Sequence, residues 1–212
     1  TIDLNCDMGE GIGNDSLIMP YIRSCSIACG GHFGNRNSIL ESLILAKKHE
    51  VKVGAHPAYP DPKNFGRKSM SLSIHELKQH LKQQLNRFME CCALTKSSIH
   101  HIKPHGALYN DMFVDKIPTQ VFIELIEEFI PDVYIYCSPS SLLEKECRKV
   151  GLKVKLEGFM DRVYNPDATL RSRSLEGAVL NDLDKIEKQL MLMVTQKKVP
   201  IRANKTIDLN VQ

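Results

Sequence analysis

Short β-type runs alternate with longer amphipathic patterns along this chain. That alternation constrains the fold more than any other feature, because it specifies an α/β domain with a mainly parallel sheet. Seven runs qualify as strands, at 2–6, 25–29, 51–55, 99–102, 133–137, 152–156 and 206–210. Ile74, Leu77, Leu81, Leu85 and Phe88 recur in steps of three and four and predict one buried helical stripe. Ser73 and Glu76 form a capping-box pattern at its start, with Leu72 and Leu77 placed to staple the entry. Val121, Phe122, Leu125, Ile126, Phe129 and Ile130 make a second stripe, stopped by Pro131, and Leu183, Ile186, Leu190 and Val194 a third. Shorter helices are expected at 37–49 and at 141–150, the latter ended by Gly151.

No Pro-, Gly- or Ser-rich linker divides the 212 residues, which fit a single domain spanning 1–212. The pentapeptide that opens the chain returns at 206–210 without matching surroundings, so it is read as two strands with similar packing needs rather than a repeat. A net charge of +3, with lysines no denser than the pairs Lys47-Lys48 and Lys197-Lys198, gives no basic tract for nucleic acid. Seven cysteines at irregular spacing, two of them adjacent at Cys91 and Cys92, do not form a disulfide framework and point to a reducing cytoplasm. Asp3 and Asp7 interrupt the early apolar stretch, which argues against a signal peptide, and no apolar run reaches the ~18–20 residues that span a bilayer.

The chemistry-bearing side chains fall after the strands. Asp7 and Glu10 follow the first, His32 the second, His56 the third, Lys103 and His105 the fourth, and Asp161 with Arg162 the sixth. In a parallel sheet or barrel all strand C-terminal ends face one rim, so these residues are expected to converge on one cleft. His49, His75 and His80 lie in helical patterns and read as surface, and His100 and His101 at the strand end away from such a site. Asp7, His56 and His105 have the donor types for a divalent metal, and equally those for proton transfer without one. Pro104 and Gly106 stiffen the turn that aims Lys103 and His105, and Arg67 in Phe65-Gly-Arg67 is suited to a carboxylate. Cys25 and Cys29 read as core packing. The chain has no GxxxxGK[ST], GxGxxG or GxSxG pattern, so a nucleotide cannot be placed by motif.

Five blocks in order carry a family resemblance: Asn5-Cys-Asp-Met-Gly-Glu10, Ile27-Ala-Cys-Gly30 with His32, Gly54-Ala-His-Pro-Ala-Tyr-Pro-Asp61 with Phe65-Gly-Arg67, Lys103-Pro-His-Gly-Ala-Leu-Tyr-Asn110, and Asp161-Arg-Val-Tyr164 with Asp167, Leu170, Arg173 and Gly177-Ala178. From Ile2 to about Arg202 the chain resembles the lactam-utilisation family, of LamB/YcsF type, to which the A subunit of 5-oxoprolinase belongs. The resemblance implies a distorted seven-stranded, TIM-like β/α barrel related to glycoside hydrolases and deacetylases. It also implies ATP-dependent opening of 5-oxoproline to glutamate, using ATP with Mg and two partner subunits. The family's motif positions fall on Asp7, Glu10, His32, His56, Arg67, Lys103, His105, Tyr109, Asp161 and Arg162. Three departures stand out. Gly31-His-Phe-Gly-Asn35 replaces a Phe-His-Ala-Gly-Asp block, 207–212 replaces a segment carrying Val-His-Gly-Asp, and the usual last helix is missing.

The expected catalytic residues are therefore Asp7, Glu10, His56, Lys103 and His105, with His32, Arg67, Tyr109, Asp161 and Arg162 binding substrate. Arg67 or Lys103 would take the carboxylate of a small lactam and His56 or His105 would serve as base. Two rivals stay open: a metal-dependent deacetylase or amidohydrolase acting without ATP, and a non-catalytic subunit that binds a small ligand. No nucleic-acid or membrane partner is expected, and a homo-oligomer is left open.

Overall fold

The computed structural model describes residues 2–201, 205–209 and 211; Thr1, Arg202 and Asn210, which figure in the expected strands and family blocks, lie outside them. Six strands form one parallel sheet in sequential order: β1 (Asn5–Met8), β2 (Ser24–Ala28), β3 (Lys52–His56), β4 (Ile99–Ile102), β5 (Tyr134–Cys137) and β6 (Lys153–Leu156). Helices α2 (Arg36–Lys48), α3 (Ile74–Thr95), α5 (Lys116–Phe129) and α6 (Leu142–Lys149) connect them, each packed against the next. Two short helices, α1 (Asp15–Ile18) and α4 (Gly106–Asp111), sit in the loops after β1 and β4. Among the described residues no helix is long and apolar enough to cross a membrane.

The expected seventh strand is the main correction. The segment near 206–210 forms β8 (Lys205–Asp208), which pairs antiparallel with β7 (Lys198–Ile201) outside the six-stranded sheet. The reason is connection length. Parallel strands need a crossover of about a dozen residues or more, and only three positions, 202–204, separate β7 from β8. β7 went unread because it follows α7 (Leu183–Gln196) at once, the direction changing at Lys197 with φ 54°.

The six-stranded sheet is strongly curled. Four strand spacings of ~4.8 Å would put β1 and β5 nearly 20 Å apart in a flat sheet. Yet the Tyr136 hydroxyl donates to Asp3 Oδ2 over 3.3 Å, and Lys155 of β6 lies 3.9 Å from the same carboxylate. Side chains from opposite strands therefore meet inside the curl, much of which is polar: Ser26 Oγ donates to Asn5 Oδ1 (3.1 Å) and lies 3.1 Å from His101 Nε2.

The apolar core lies between the sheet and its helices. α3 buries Leu77, Leu81, Leu85 and Phe88, and α5 buries Val121, Phe122, Leu125 and Ile126. The capping box at Ser73 and Glu76 forms as expected. Ile74 departs from its stripe and is 58% exposed, since the first turn of α3 extends past the packed face. The third stripe is also rotated: Leu183 and Val194 are exposed, whereas Gln189 and Met193 are buried. Gln189 turns inward because its amide donates to the carbonyls of Phe159, Met160 and Arg162, which ties α7 to the loop after β6.

Another glutamine supports the rim. Gln84 of α3 donates to Ala58 O (2.8 Å) and accepts from Ala58 N–H (2.9 Å), giving the buried loop after β3 the two hydrogen bonds of a missing strand. Gln84→Ala leaves both backbone groups unpaired, at ~1–3 kcal/mol each, less what solvent recovers. Urea unfolding is expected to show a loss of about 3 kcal/mol, and a change within error would show that the loop holds itself.

Candidate active site

Strand ends deliver the predicted residues to one place. Asp7 lies in β1, Glu10 two residues beyond it, His56 ends β3, Lys103 directly follows β4, and His105 is the N-cap of α4. His56 Nε2 is 2.9 Å from His105 Nδ1 and 3.3 Å from Asp7 Oδ2, and His105 Nδ1 is 3.5 Å from Glu10 Oε1. One ligand atom from each of Asp7, Glu10, His56 and His105 falls within 4.8 Å of all the others, a spacing that can enclose a small cation.

Backbone carbonyls orient both imidazoles. His56 Nδ1 lies 2.7 Å from Lys103 O, and His105 Nε2 lies 3.0 Å from Phe65 O. A carbonyl oxygen only accepts, so each of those nitrogens carries the proton. The Phe65 carbonyl reaches His105 because Gly66 packs flat beneath it: a Cβ at Gly66 would approach His32 Cβ at 2.8 Å and His105 Cδ2 at 3.0 Å.

Lys103 binds the cluster together. Its ammonium lies 2.8 Å from Asp7 Oδ1, 3.5 Å from Glu157 Oε2 and 3.2 Å from Asn5 Oδ1, and it is almost wholly buried. Burial favours a neutral lysine, but the charges of Asp7 and Glu157 reverse this and raise its pKa. Burial alone would raise the Asp7 carboxyl, yet His56 and Lys103 outweigh it and hold the group well below the usual carboxylate range. Glu157 goes the other way, pushed up by burial in spite of Lys103. Burial, with His56 and His32 nearby, pushes His105 down to about 2.

The remaining predicted residues take different positions. His32 is fully buried, stacked on His105 at 3.6 Å between ring centroids and bonded through Nε2 to Glu10 Oε1 at 2.7 Å. It therefore acts on the site through Glu10 and His105. Arg67, Tyr109, Asp161 and Arg162 line the same cavity of roughly 1440 Å³ as Asp7, His56 and His105. Arg67 lies over the Phe65 ring at 5.0 Å, and among the described residues no carboxylate is within ion-pair distance of it. Arg162 is buried and spends its guanidinium on the carbonyls of Arg171 and Ala178, bracing the 159–180 loop. Tyr109 donates to Ser138 Oγ at 3.2 Å.

Sequence reasoning missed Glu157, Asn5 and His101. Glu157 was findable, since it directly follows β6 just as Lys103 follows β4. His101 lies inside the curl, stacked on Tyr136 at 4.1 Å below Asn5 and Lys103, and not at a remote strand end. Two departures from the family pattern prove structural. Asn35 caps α2, accepting from the N–H groups of Asn37 and Ser38 as an aspartate would. At Gly31 a Cβ would come 2.4 Å from Gln84 Oε1, so the glutamine fills the space of a larger side chain. Asp208 stands exposed in the β7–β8 hairpin.

A family model described as "LamB/YcsF family" matches residues 2–212. The 5-oxoprolinase A-subunit proteins of Staphylococcus aureus strains bovine RF122 / ET3-1 and MRSA252 are each 39% identical over 213 residues, covering 98% of this chain and 85% of theirs. The crystal structure of a lactam utilization protein from Thermus thermophilus matches with a TM-score of 0.92 at 34% identity, covering 100% of this chain and 87% of that one.

The opposed shifts of Asp7 and Glu157 give a test. A raised folded-state pKa contributes stability below the unfolded value of about 4.3, and that stability is lost as pH rises through the folded value. Glu157→Gln abolishes this loss, and Asp7, held well below the usual carboxylate range, adds no titration of its own between pH 4.5 and pH 8. The melting temperature of the variant relative to the parent is therefore expected to rise between pH 4.5 and pH 8. A relative fall over that range would mean that the Lys103 ion pair outweighs burial.

Proposed function

The chain belongs to the LamB/YcsF family, and we propose that it is the A subunit of a 5-oxoprolinase, opening the lactam of 5-oxoproline to glutamate with ATP, Mg and two partner subunits. The observation that carries the reading is the convergence of Asp7, Glu10, His56 and His105 on a cavity that Arg67 also lines. A hydrolytic centre needs acceptors that draw a proton from water and a separate cation for the substrate carboxylate, and these groups supply both. We read the curled sheet as a TIM-like barrel short of closure and the chain as one domain working in the cytoplasm.

Of the two candidates for the carboxylate, Arg67 is the better, because Lys103 is already surrounded by Asp7, Glu157 and Asn5. Lys103 keeps Asp7 charged, and the water-activating role falls to the imidazole pair with Asp7 and Glu10 beside it. Tyr109 and Asp161 line the substrate space, while His32 and Arg162 position the groups around it. An unactivated amide is a poor electrophile. Phosphoryl transfer from ATP to the lactam oxygen would make the ring carbon attackable; after water adds there, the C–N bond would break as the ring nitrogen takes a proton, and hydrolysis of the resulting acyl phosphate would give glutamate and phosphate. The cavity exceeds the needs of a five-membered ring alone, which suits a phosphorylated form of it.

The purified chain, mixed with its partner subunits, 5-oxoproline and Mg-ATP, is expected to release glutamate. His105→Ala should lower kcat by about 100-fold or more, and Arg67→Ala should act mainly on KM. Glutamate release independent of ATP would favour the metal-dependent amidohydrolase reading, to which the four-acceptor cluster also lends itself. Binding without turnover would favour the non-catalytic one.

A further inference from the structure

The orientation of the two imidazoles has a chemical consequence. When both rings are neutral, with His56 carrying its proton at Nδ1 toward Lys103 O and His105 at Nε2 toward Phe65 O, their lone pairs face each other across 2.9 Å. Asp7 Oδ2 and Glu10 Oε1, both acceptors, border the same point at 3.3 and 3.5 Å. Four acceptors facing one another in a largely buried space repel unless something positive stands among them.

We infer that His56 Nε2, His105 Nδ1, Asp7 Oδ2 and Glu10 Oε1 form a binding site for one divalent transition-metal ion. The inference deepens the proposed hydrolytic reading of this site by moving water activation from the imidazoles to the bound ion, and it does not depend on which amide is cleaved. Two imidazole nitrogens with two carboxylate oxygens suit zinc, cobalt or manganese better than magnesium or calcium. Nitrogens about 2.1 Å from a shared ion and 2.9 Å apart subtend about 90°, an angle that a five- or six-coordinate ion accepts. The formal charges also close, since Lys103 offsets Glu157 and a divalent ion offsets Asp7 with Glu10.

The surroundings are those of a metal site. Both imidazoles give their second nitrogen to a carbonyl, and His32 holds Glu10 Oε1 at 2.7 Å while stacking on His105, so three of the four donors are fixed by a second layer of contacts. Asp7, the fourth, is fixed by Lys103 and keeps about a third of its side chain open to the cavity. An ion there would remain reachable by water or substrate from that side. The rival occupant is a proton shared between His56 and His105, which needs no metal.

Titration decides between them. The chain, stripped with chelator and checked for folding by circular dichroism, is titrated separately with ZnCl2, CoCl2, MnCl2 and MgCl2 by calorimetry, with melting temperature recorded alongside. Cobalt is also followed by its visible d–d absorption. We expect about one equivalent of a transition ion per chain, a rise in melting temperature, no comparable response to magnesium, and at least tenfold weaker binding in Glu10→Gln and His105→Gln. Absence of saturable binding by the folded parent chain at millimolar metal overturns the site, as does binding unchanged in both variants. The parent titration stands even if a variant fails to fold. Metal binding without 5-oxoprolinase turnover would remove the proposed activity and leave the metal site standing, whereas turnover by a chain that shows no saturable metal binding would do the reverse.

Discussion

A lysine ammonium buried inside a curled sheet has to be neutralised from several directions at once, and Lys103 is neutralised from β1 and from beyond β6. Those contacts draw together the first and last strands of the sheet, which share no backbone pairing in its strand order. Desolvating an isolated charge costs several kcal/mol, so the position of Lys103 requires Asp7 and Glu157 to be where they are. Asp7, held charged in this way, is then available to His56. The electrostatics of the site therefore begin with a buried lysine rather than with the imidazoles.

A second constraint concerns backbone carbonyls. Lys103 O and Phe65 O determine which nitrogen of His56 and His105 carries hydrogen, and so which nitrogen faces the cluster. Neither carbonyl depends on the identity of its own side chain. Each depends on local backbone shape: Phe65 sits at φ 55°, and Gly66 permits close approach to the imidazoles. Gln84, by bonding both backbone groups of Ala58, steadies the loop that joins His56 to this turn. The hydrolytic reading and the metal reading both rest on these orientations, because the same lone pairs that would hold a cation would otherwise take a proton.

The departures from the family pattern separate into two kinds. Asn35 and Gly31 do structural work, one capping α2 and the other making room for Gln84, so neither removes a group from the cavity. The change at 207–212 differs, since Ile207 and Asp208 belong to the β7–β8 hairpin, whose Val199 packs with Leu209, Tyr164 and Met193 of α7. Among the described residues of 207–212, the one that lines the cavity is apolar Val211, and Asp208 is exposed.

Much of this protein was legible as pattern. Alternating strand and helix signals located all six sheet strands to within a few residues, because apolar periodicity and β-branched runs are local properties. Placement after strand ends selected Asp7, Glu10, His56, Lys103 and His105, because parallel strands send their C-terminal ends to one rim. The hairpin was not legible as such, since β7 follows a helix without punctuation and its partner resembles any short strand. Nor was the exposure of Ile74 and Leu183, because periodicity gives the angle of a face and not the extent of its partner. The tautomers of His56 and His105, the retreat of His32 behind Glu10, and the recruitment of Glu157 were decided only by tertiary structure. Each depends on distances between atoms many residues apart, which arise when the sheet curls and no local pattern encodes.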